Sequence, residues 1–432
     1  MTLLSALHAR GDAAAIVAGS VASRWCDLAQ QAEGLRPAIR ERRGGAVALA
    51  APGAGALLAH AAAAEAEGVE LHLLRRSFAP GDVARLRSAF GLQTLDEPPG
   101  ARRDGTAGAA CVAIYTSGTT AAPKPTLHRW TDLLPRPASA ARAAGAAWLL
   151  TYDPATYAGV RVLTQAVAGA GSVIEPSSPT LASVADAISH HGAQITAISA
   201  TPSMLRGLLA HLGDDALRGV SLRQITLGGE AADDALLARL RSAFPAARIV
   251  HVYASSEAGA VFSVSDGRAG FPVQWLGREL AGGVVVSIAD GALHVRNPAS
   301  MRGYAGEGRA SEIDTGDLVE VRGDRVHFIG RAEETLVVGG AKVRPAEVEA
   351  VLLSVPGVAA ARVYGKRSSL VGQIVAADIV AARGYEAASV VIAARAQAEA
   401  HLAPHKVPRF LEAVESLDLN DSGKAVGRRA VR

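Results

Sequence analysis

A dense group of hydroxyl side chains is the first feature of this sequence that could do chemistry. Residues 115–120 read YTSGTT, and Lys124 follows between two prolines. A strand that ends in small hydroxyl residues and glycine exposes several backbone N–H groups in a tight curve, which binds anions, and the hydroxyls add donors. Gly118 permits close backbone approach, and Lys124 supplies a point charge. The segment predicts a phosphate loop, although polar surface turns share this composition and the Gly-Lys-Ser/Thr ending of a Walker loop is missing.

The surrounding residues predict the elements that must hold this loop. The apolar, β-branched run ACVAIYT leads directly into it and predicts a strand. Alternating strands and helices predict parallel sheets covered by helices, in which ligands bind at loops that leave the carboxyl ends of strands. GGEA (residues 228–231) and YASSEAG (253–259) are two further loops of this kind. The predicted strands lie at 46–50, 69–76, 195–200, 222–229 and 247–255, and the predicted helices at 56–66, 80–90, 183–191, 202–212 and 233–244.

The pattern changes in the last third of the chain. From about residue 284, short strands with Gly/Asp turns predict a small antiparallel barrel or meander. After residue 330 a compact α+β unit follows, with helices expected at 345–354 and 386–402. We therefore predict an α/β protein with two domains. Residues 1–330 form a large N-terminal domain of parallel sheets covered by helices with a small β-barrel-like subdomain, and residues 331–432 form a small mobile α+β domain.

Composition narrows the class of protein. The chain has 432 residues, is 49% hydrophobic and has a formal net charge of only +3, so nucleic-acid binding is not expected. Its two cysteines, Cys26 and Cys111, form neither a disulfide framework nor a metal-ligand pattern, which fits a reducing cytoplasm. The N-terminus lacks a signal-peptide pattern. The apolar segment 44–66 is long enough to span a bilayer, but Pro52 and Gly53 interrupt it, so a strand, a turn and a buried helix are predicted instead of a membrane span.

Several motifs occur in one order that resembles a known family. YTSGTTAAPKPT is similar to a phosphate loop written YTSGTTGxPKG, and YASSE is similar to YGxTE. GGEA, TGD (residues 315–317), GRAEETLVVGGAKVRPAEVEAVL, HKVPR and SGKAVGRR follow the same family pattern, from residue 115 to 429. The sequence thus resembles the adenylate-forming superfamily, which contains acyl- and aryl-CoA ligases, peptide-synthetase adenylation domains and luciferases.

The resemblance implies roles for the matching residues. The hydroxyl loop and Lys124 would embrace the β- and γ-phosphates of ATP, and Glu257 would hold Mg²⁺, a hard cation that prefers carboxylate oxygen. The GGEA loop would line the adenine and Tyr253 would stack on it. Asp317 would bind the ribose hydroxyls, and Arg331 would reach ribose or phosphate. The full set implied to bind ATP or AMP is Thr116, Ser117, Gly118, Thr119, Thr120, Lys124, Gly229, Glu230, Ala231, Tyr253, Ser256, Asp317, Arg331 and Lys424.

Lys424 is the residue on which the implied chemistry depends most. Attack of a carboxylate on an α-phosphate brings two anions together, and a lysine that bridges both stabilises the charge of the transition state. In the resembling enzymes this lysine arrives on the mobile C-terminal domain. Lys424, Glu257 and Thr116 are accordingly the expected catalytic residues. A lysine in a solvated tail is the alternative reading of Lys424.

The sequence departs from the family pattern at several points. Ala121 and Pro125 stand where the phosphate loop often has glycine, so the loop is expected to be stiffer. Ala254 replaces the glycine of YGxTE, and Glu333 stands where the hinge between the domains usually has aspartate. The region before the phosphate loop is shorter than in typical members. These changes keep open a second reading, in which the chain is a non-catalytic nucleotide-binding relative.

The acid substrate is constrained by one position. Adenylation domains for amino acids carry an aspartate in an FDxS-like segment, and TYAGV aligns there with Tyr157 in place of the aspartate. An unpaired buried ammonium group is costly, so an aryl or simple acyl acid is expected. Tyr157, Gly228 and Gly259 are the expected pocket walls, although Tyr157 could equally be a core aromatic. Asp153, four residues earlier, is expected to be a loop aspartate before Pro154.

The acceptor of the acyl group stays open in the sequence. The resemblance implies transfer of the acyl group to the thiol of coenzyme A, with Gly339 and Gly340 lining the thiol tunnel after the C-terminal domain rotates. An acyl carrier protein presents the same phosphopantetheine arm and is the alternative partner. The expected cofactors are therefore ATP, Mg²⁺ and coenzyme A, or phosphopantetheine in its place.

Overall fold

Four β-sheets and a two-stranded hairpin make up the strand framework of the residues that the structure describes. The computed structural model describes residues 2–98, 111–116, 123–305, 308–368 and 372–427. The strands within these ranges are β1 (Ala14–Ala18), β2 (Val21–Arg24), β3 (Ala46–Leu49), β4 (Glu70–Leu73), β5 (Leu92–Gln93), β6 (Cys111–Thr116), β7 (Lys124–Arg129), β8 (Ala147–Leu150), β9 (Ser172–Glu175), β10 (Ala197–Ala200), β11 (Gln224–Leu227), β12 (Arg248–Ser255), β13 (Gly259–Val264), β14 (Phe271–Pro272), β15 (Glu279–Leu280), β16 (Val284–Ala289), β17 (Ala292–Arg296), β18 (Ile313–Arg322), β19 (Arg325–Arg331), β20 (Leu336–Val338), β21 (Ala341–Val343), β22 (Val358–Ser368), β23 (Gly372–Ala381) and β24 (Phe410–Val414).

Helices alternate with these strands through most of the chain, as the sequence pattern predicts. They are α1 (Leu3–Arg10), α2 (Trp25–Arg40), α3 (Ala54–Glu67), α4 (Pro80–Phe90), α5 (Trp130–Leu133), α6 (Pro137–Arg142), α7 (Tyr157–Ala168), α8 (Leu181–His191), α9 (Pro202–Arg218), α10 (Asp234–Ala243), α11 (Pro345–Leu353) and α12 (Ala387–His401).

The two sheets that follow the strand–helix alternation are largely parallel. The larger has eight strands in the order β13-β12-β11-β10-β8-β9-β1-β2, and every pair from β12 to β1 is parallel. The smaller has the order β5-β3-β4-β6-β7, with β6 and β7 antiparallel. The predicted α/β class is confirmed, and the phosphate-loop segment lies between β6 and β7.

Small residues build much of the core between these sheets. In α3, Ala61, Ala62, Ala63 and Ala64 are fully buried, and this helix packs against α1 and α2. The apolar segment 44–66 is therefore strand β3, a turn at 51–53 and buried helix α3, as predicted. In the part of the chain that the structure describes, no helix is both long and apolar enough to cross a membrane.

The last third of the chain forms two smaller units. An antiparallel sheet with the order β14-β19-β18-β17-β16-β15 encloses Phe271, Val286 and Leu293, and corresponds to the predicted barrel or meander. The C-terminal unit is a three-stranded sheet, β22-β23-β24, packed against α11 and α12. The boundary predicted between residues 330 and 331 falls at the end of β19, just before the short 3₁₀ helix Ala332–Glu334.

The segment after the phosphate loop differs from expectation. Lys124 and Pro125 were expected to belong to the loop, but they begin strand β7, where Lys124 lies opposite Thr116 and Pro125 opposite Tyr115. Strand β7 lies at the edge of its sheet, and the Pro125 carbonyl accepts from the N–H of Ala305 on the side away from β6. The pairing of β6 with β7 therefore does not need the N–H that proline lacks, and Pro125 belongs to the return strand and not to the loop itself.

One buried carboxylate joins the first helices. Glu67 ends α3, and its side chain is fully buried. Its carboxylate lies 2.7 Å from Nε of Arg36, 2.9 Å from Nε of Arg40 and 2.7 Å from an Nη of Arg43. Hydrogen bonds from Arg40, and then from Arg36, lower the pKa of Glu67 from its usual value to about 2. The carboxylate is thus the common partner of three guanidinium groups that lie at the end of α2 and just after it.

We predict that Glu67→Gln lowers the free energy of unfolding by about 2 kcal/mol at pH 7, because three guanidinium groups lose their common carboxylate, and their partial exposure keeps the loss below that of a fully buried pair. The folded-state pKa lies below that of an unfolded glutamate, so this stabilisation is present above about pH 4.5 and is lost as the pH falls toward 2. Urea unfolding followed by tryptophan fluorescence at pH 7 and pH 3 measures it.

The exposed neighbour Glu41 provides the matched control, and Glu41→Gln is expected to leave the unfolding midpoint unchanged. An equal difference between wild type and Glu67→Gln at both pH values would contradict the electrostatic role of Glu67.

Candidate active site

The base of the phosphate-loop hairpin brings two predicted residues together. Thr116 ends β6 and Lys124 begins β7, and the Thr116 hydroxyl donates a long hydrogen bond, 3.5 Å, to the Lys124 carbonyl. The side chain of Lys124 is exposed. Ser117, Gly118, Thr119 and Thr120 lie outside the described residues, so their phosphate contacts stay predictions. The pairing of β6 with β7 fixes the positions of Thr116 and Lys124 on either side of this segment.

Tyr304 connects Lys124 with the predicted magnesium ligand. Lys124 Nζ lies 5.5 Å from the centre of the Tyr304 ring, and the Tyr304 hydroxyl lies 3.5 Å from Oε1 of Glu257, at the limit of a hydrogen bond. A β-bridge between Thr126 and Tyr304 holds the tyrosine beside β7. Sequence reasoning missed Tyr304, because its place depends on pairing between segments about 180 residues apart. The carboxylate of Glu257 and the ammonium of Lys124 therefore flank one aromatic side chain.

A second group of predicted residues meets beside the six-stranded sheet. The Tyr253 hydroxyl donates to Oδ2 of Asp317 at 2.5 Å, and an Nη of Arg331 lies 3.6 Å from Oδ1 of the same carboxylate. Asp317 and Arg331 are direct partners in the β18–β19 pair. The Tyr253 ring stacks with Phe262 and Phe328, and burial raises the pKa of its hydroxyl. The roles of these residues toward adenine and ribose stay predictions, and the structure shows that they form one connected group.

The GGEA loop follows β11, and the carboxylate of its Glu230 accepts hydrogen bonds from two other segments. Glu230 accepts a hydrogen bond from the backbone N–H of Ser203, in the first turn of α9, at 2.9 Å. Its other oxygen accepts from the N–H of Ala425 at 3.2 Å. Gly229 has a φ of +82°, a left-handed conformation that favours glycine. The loop therefore joins a helix of the N-terminal domain to the segment that carries Lys424.

The segment around Lys424 is a tight loop held by one asparagine. The side-chain oxygen of Asn420 accepts hydrogen bonds from the backbone N–H groups of Ser422 and Lys424 at 3.0 and 3.1 Å. The backbone N–H of Asn420 donates to the Lys424 carbonyl at 2.9 Å. A β-bridge between Leu419 and Ala425 closes the loop. We call residues 419–425 the lysine loop.

The lysine loop is docked on the N-terminal domain. The Thr201 hydroxyl donates to the Gly423 carbonyl, and the Asp153 N–H donates to the Asp421 carbonyl at 3.0 Å. A Cβ added to Gly229 would lie 3.4 Å from Cε of Lys424, so the lysine side chain passes directly over the GGEA loop. Lys424 thus lies in a loop that is docked on the N-terminal domain, and its catalytic role stays a prediction.

The predicted walls of the acid pocket have packing roles of their own. Tyr157 begins α7, is 8% exposed and lies 5.6 Å from the ring of His128. A Cβ at Gly228 would meet a methyl group of Val252 at 3.0 Å, and one at Gly259 would meet the Ala299 carbonyl at 2.6 Å. Their contact with substrate stays a prediction.

Two buried residues near Tyr157, Asp153 and His128, complete this region, and the charged groups that act on the tyrosine are Arg161 and Asp132. Asp153 is buried and accepts from the N–H of Ala155 at 2.8 Å, so it is the loop aspartate that the sequence predicts. His128, which sequence reasoning missed, is 1% exposed, and burial lowers its pKa to about 4. It is therefore neutral at pH 7, and the Tyr157 environment gains no charge from it.

The predicted hinge and tunnel residues lie in the segment that follows β19. Glu333 lies in the 3₁₀ helix after β19, with Oε1 3.0 Å from Nε of Arg331. Gly339 and Gly340 form the turn between β20 and β21 with φ values of +56° and +86°, the positive pair that a type I′ turn requires. Nothing lies within 4 Å of a Cβ added to either glycine, so the turn is open in this domain arrangement. Their hinge and tunnel roles stay predictions.

The donor set fits a nucleotide triphosphate with Mg²⁺. Lys124 and Lys424 supply cationic groups, and the partly exposed Glu257 supplies a carboxylate oxygen. Among the described residues, no group of three or more His, Cys, Asp or Glu side chains could hold a metal ion. Mg²⁺ is commonly bound through one or two carboxylates together with substrate phosphates and water, so one carboxylate here is sufficient.

Known proteins resemble the chain in sequence. A 2-succinylbenzoate–CoA ligase from Bacillus velezensis is 29% identical over 73% of this chain and 67% of its own length. A p-hydroxybenzoic acid–AMP ligase from Mycobacterium tuberculosis is 29% identical over 83% of this chain and 53% of its own length. The chain therefore spans between half and two thirds of the length of these two relatives.

Solved structures share the fold over nearly the whole chain. An anthranilate CoA ligase in complex with anthranoyl-AMP superposes with a TM-score of 0.75 at 16% identity, covering 98% of this chain and 95% of its own. An o-succinylbenzoate CoA synthetase from Bacillus subtilis, in complex with its acyl-adenylate intermediate, gives 0.67 at 20% identity, with 98% and 96% covered. These likenesses confirm the predicted arrangement of a large N-terminal and a small C-terminal domain.

Family models match both parts of the chain in the same order as the motifs. Residues 13–305 match the model described as AMP-binding enzyme, and residues 347–424 match the AMP-binding enzyme C-terminal domain. The first match alone covers more than half of the 432 residues. The chain belongs to the AMP-binding enzyme family, the adenylate-forming superfamily that its motifs resemble.

Proposed function

We propose that the protein is an ATP- and Mg²⁺-dependent ligase that joins a carboxylic acid to a thiol. It forms an acyl-AMP with release of pyrophosphate and then transfers the acyl group to coenzyme A. The observation that supports this proposal best is the docked lysine loop, in which the Lys424 side chain lies over Gly229 of the GGEA loop. A non-catalytic nucleotide-binding relative has no need of a lysine held in this position.

In the first half-reaction a carboxylate oxygen attacks the α-phosphorus of ATP. The new oxygen–phosphorus bond forms as the bond to pyrophosphate breaks, and negative charge gathers where the acid and the phosphate meet. Lys424 offsets this charge, and Lys124 with the hydroxyl loop holds the leaving pyrophosphate. Glu257 would hold Mg²⁺, which when bound would supply additional neutralisation of the phosphates.

In the second half-reaction the thiol sulfur attacks the acyl carbon and its proton is released to solvent. The bond between the acyl carbon and the phosphate oxygen breaks, and AMP leaves with the electrons of that bond. Rotation of the C-terminal domain would withdraw the lysine loop and bring the Gly339–Gly340 turn toward the acyl-adenylate. The open position of that turn supports this exchange. Coenzyme A is the acceptor we propose, and a carrier-protein phosphopantetheine is the alternative partner.

The acid is proposed to be an aryl or simple acyl carboxylic acid. Position 157 is a buried tyrosine next to a neutral histidine, so no carboxylate stands there to pair a substrate ammonium group. The two relatives described above are named for 2-succinylbenzoate and p-hydroxybenzoic acid, both aromatic acids. The free thiols Cys26 and Cys111 support the proposal of a cytoplasmic location.

We predict that Lys424→Ala lowers the rate of pyrophosphate release by about 100-fold or more, because transition-state charge loses its counter-ion. Hydroxylamine serves as the acyl acceptor, so that the thiol step is bypassed. Transfer from a supplied acyl-AMP to coenzyme A is expected to stay within about twofold of wild type, because Lys424 has no part in that step.

Lys366→Ala is the matched control, since Lys366 lies on β22 of the same domain with Nζ 3.9 Å from the centre of the Phe410 ring. Equal loss of both half-reactions in Lys424→Ala would contradict the assigned role of the lysine.

We predict that Glu257→Gln raises the Mg²⁺ concentration for half-maximal pyrophosphate release about tenfold, because an amide is a poorer ligand than a carboxylate for a hard cation. A titration with Mg²⁺ at saturating ATP measures this value. Glu279→Gln, on the exposed edge strand β15, is the control and should leave it unchanged. An unaltered Mg²⁺ requirement in Glu257→Gln would show that the metal is held elsewhere.

A further inference from the structure

A short segment after strand β4 contacts both catalytic parts of the site. Arg75 and Ser77 lie two and four residues beyond the end of β4. The Ser77 hydroxyl donates to Oδ2 of Asp421, and an Nη of Arg75 lies 3.8 Å from the same oxygen. Asp421 is part of the lysine loop, three residues before Lys424. The segment thus joins the smaller parallel sheet to the C-terminal domain.

Arg75 also reaches the strand that enters the phosphate loop. Its second Nη donates to the carbonyl of Tyr115, the residue directly before Thr116. The two Nη atoms belong to one planar, rigid group. A single guanidinium therefore fixes the end of β6 relative to Asp421, and with it the expected phosphate site relative to the lysine loop.

Arg75 is buried, so its ion pair with Asp421 affects the energy of docking the lysine loop. Its side chain is 7% exposed, and burial lowers the pKa of the guanidinium, while Asp421 and Asp153 oppose that shift. Asp153 has a second cation nearby, since Nε of Arg76 lies 3.9 Å from it. When the lysine loop withdraws, Asp421 leaves with it and the buried cation keeps only the shared Asp153. Loss of one partner of a buried pair is unfavourable, so this charge favours the docked loop.

Movement of Asp421 must move Lys424 as well. Asn420 bonds to the backbone of both Ser422 and Lys424, and the Gly423 N–H donates back to the Asn420 carbonyl at 2.7 Å. Gly423 has a φ of +67°, as the tight turn requires. The loop therefore transmits the position of one end to the other.

We propose that Arg75 and Asp421 form a latch that holds Lys424 in register with the phosphate loop during adenylation and opens for the thiol step. This inference rests on the proposed function. Both are positioning residues, because they act through Lys424 and touch neither substrate nor the reacting atoms in the contacts described.

Loss of the latch is expected to slow the adenylation half-reaction and not the thiol-transfer half-reaction. Asp421→Asn keeps the shape of the side chain and removes its charge, and we expect kcat for pyrophosphate release to fall about tenfold, with the KM for ATP changed less than about twofold. Transfer from supplied acyl-AMP to coenzyme A should be unchanged or faster. Asp421→Glu should restore most of the lost rate, whereas a purely structural defect would lower both half-reactions together and overturn the proposal.

A double-mutant cycle tests whether the two side chains act as a pair. Arg75→Ala combined with Asp421→Asn should be no slower than the slower single variant, and additive losses would contradict the latch. Arg85→Ala, a 72% exposed arginine on α4, is the control and should match wild type. If Arg75→Ala fails to fold, Asp421→Asn and Asp421→Glu still decide the result.

Cross-linking tests the contact without any turnover. Ser77→Cys combined with Asp421→Cys should form a disulfide under mild oxidant, and Ser77→Cys alone gives the background from Cys26 and Cys111. Failure to cross-link would overturn the latch even if the enzyme has no activity. Absence of acyl-AMP in wild type with a normal cross-link would instead defeat the proposed function and leave the contact established.

Discussion

The proposed function depends on one electrostatic constraint, the need for a cation where a carboxylate meets a triphosphate. In this proposal the cation is Lys424, which lies far in sequence from the residues that would hold the nucleotide. Its loop must therefore be captured by the N-terminal domain with enough contacts to fix one ammonium group. Those contacts come from residues that follow strands β8, β10 and β11, namely Asp153, Thr201 and Glu230. Neighbouring parallel strands end at one edge of the sheet, so the fold brings these partners together.

The second parallel sheet meets the same loop from the other side. Strand β6 leads into the phosphate loop, and the segment after its neighbour β4 contacts the lysine loop through Ser77 and Arg75. The proposed nucleotide site thus lies between two sheets, and the C-terminal unit completes it. In the proposed second half-reaction this unit would rotate and withdraw the lysine, which requires the polar contacts from Asp153, Thr201 and Glu230 to break.

Short stretches of sequence were enough to predict most strands, helices and turns. The β-branched run before Thr116 and the Pro/Gly break after β3 both form the predicted elements, and the parallel sheets are confirmed. The strand that starts at Lys124 was missed, because proline argues against a strand unless the strand is known to be an edge. His128 and Tyr304 were missed because burial and cross-segment pairing place them, and no local pattern encodes either. The two hydrogen bonds that Glu230 accepts, one from α9 and one from the lysine loop, were missed for the same reason, since the donors lie 27 and 195 residues away in sequence. The contacts of residues 117–120 with phosphate stay predictions.

Direct detection of the acyl-adenylate by mass spectrometry tests the central claim. The wild-type protein would be incubated with ATP, Mg²⁺ and, one at a time, benzoates, hydroxy- and aminobenzoates, cinnamates, fatty acids and α-amino acids, without any thiol. We expect an acyl-AMP of the corresponding mass with one class of aryl or simple acyl acid, and none with α-amino acids. Bound ATP with no acyl-AMP from any of these acids, or an adenylate formed only from an α-amino acid, would contradict the account.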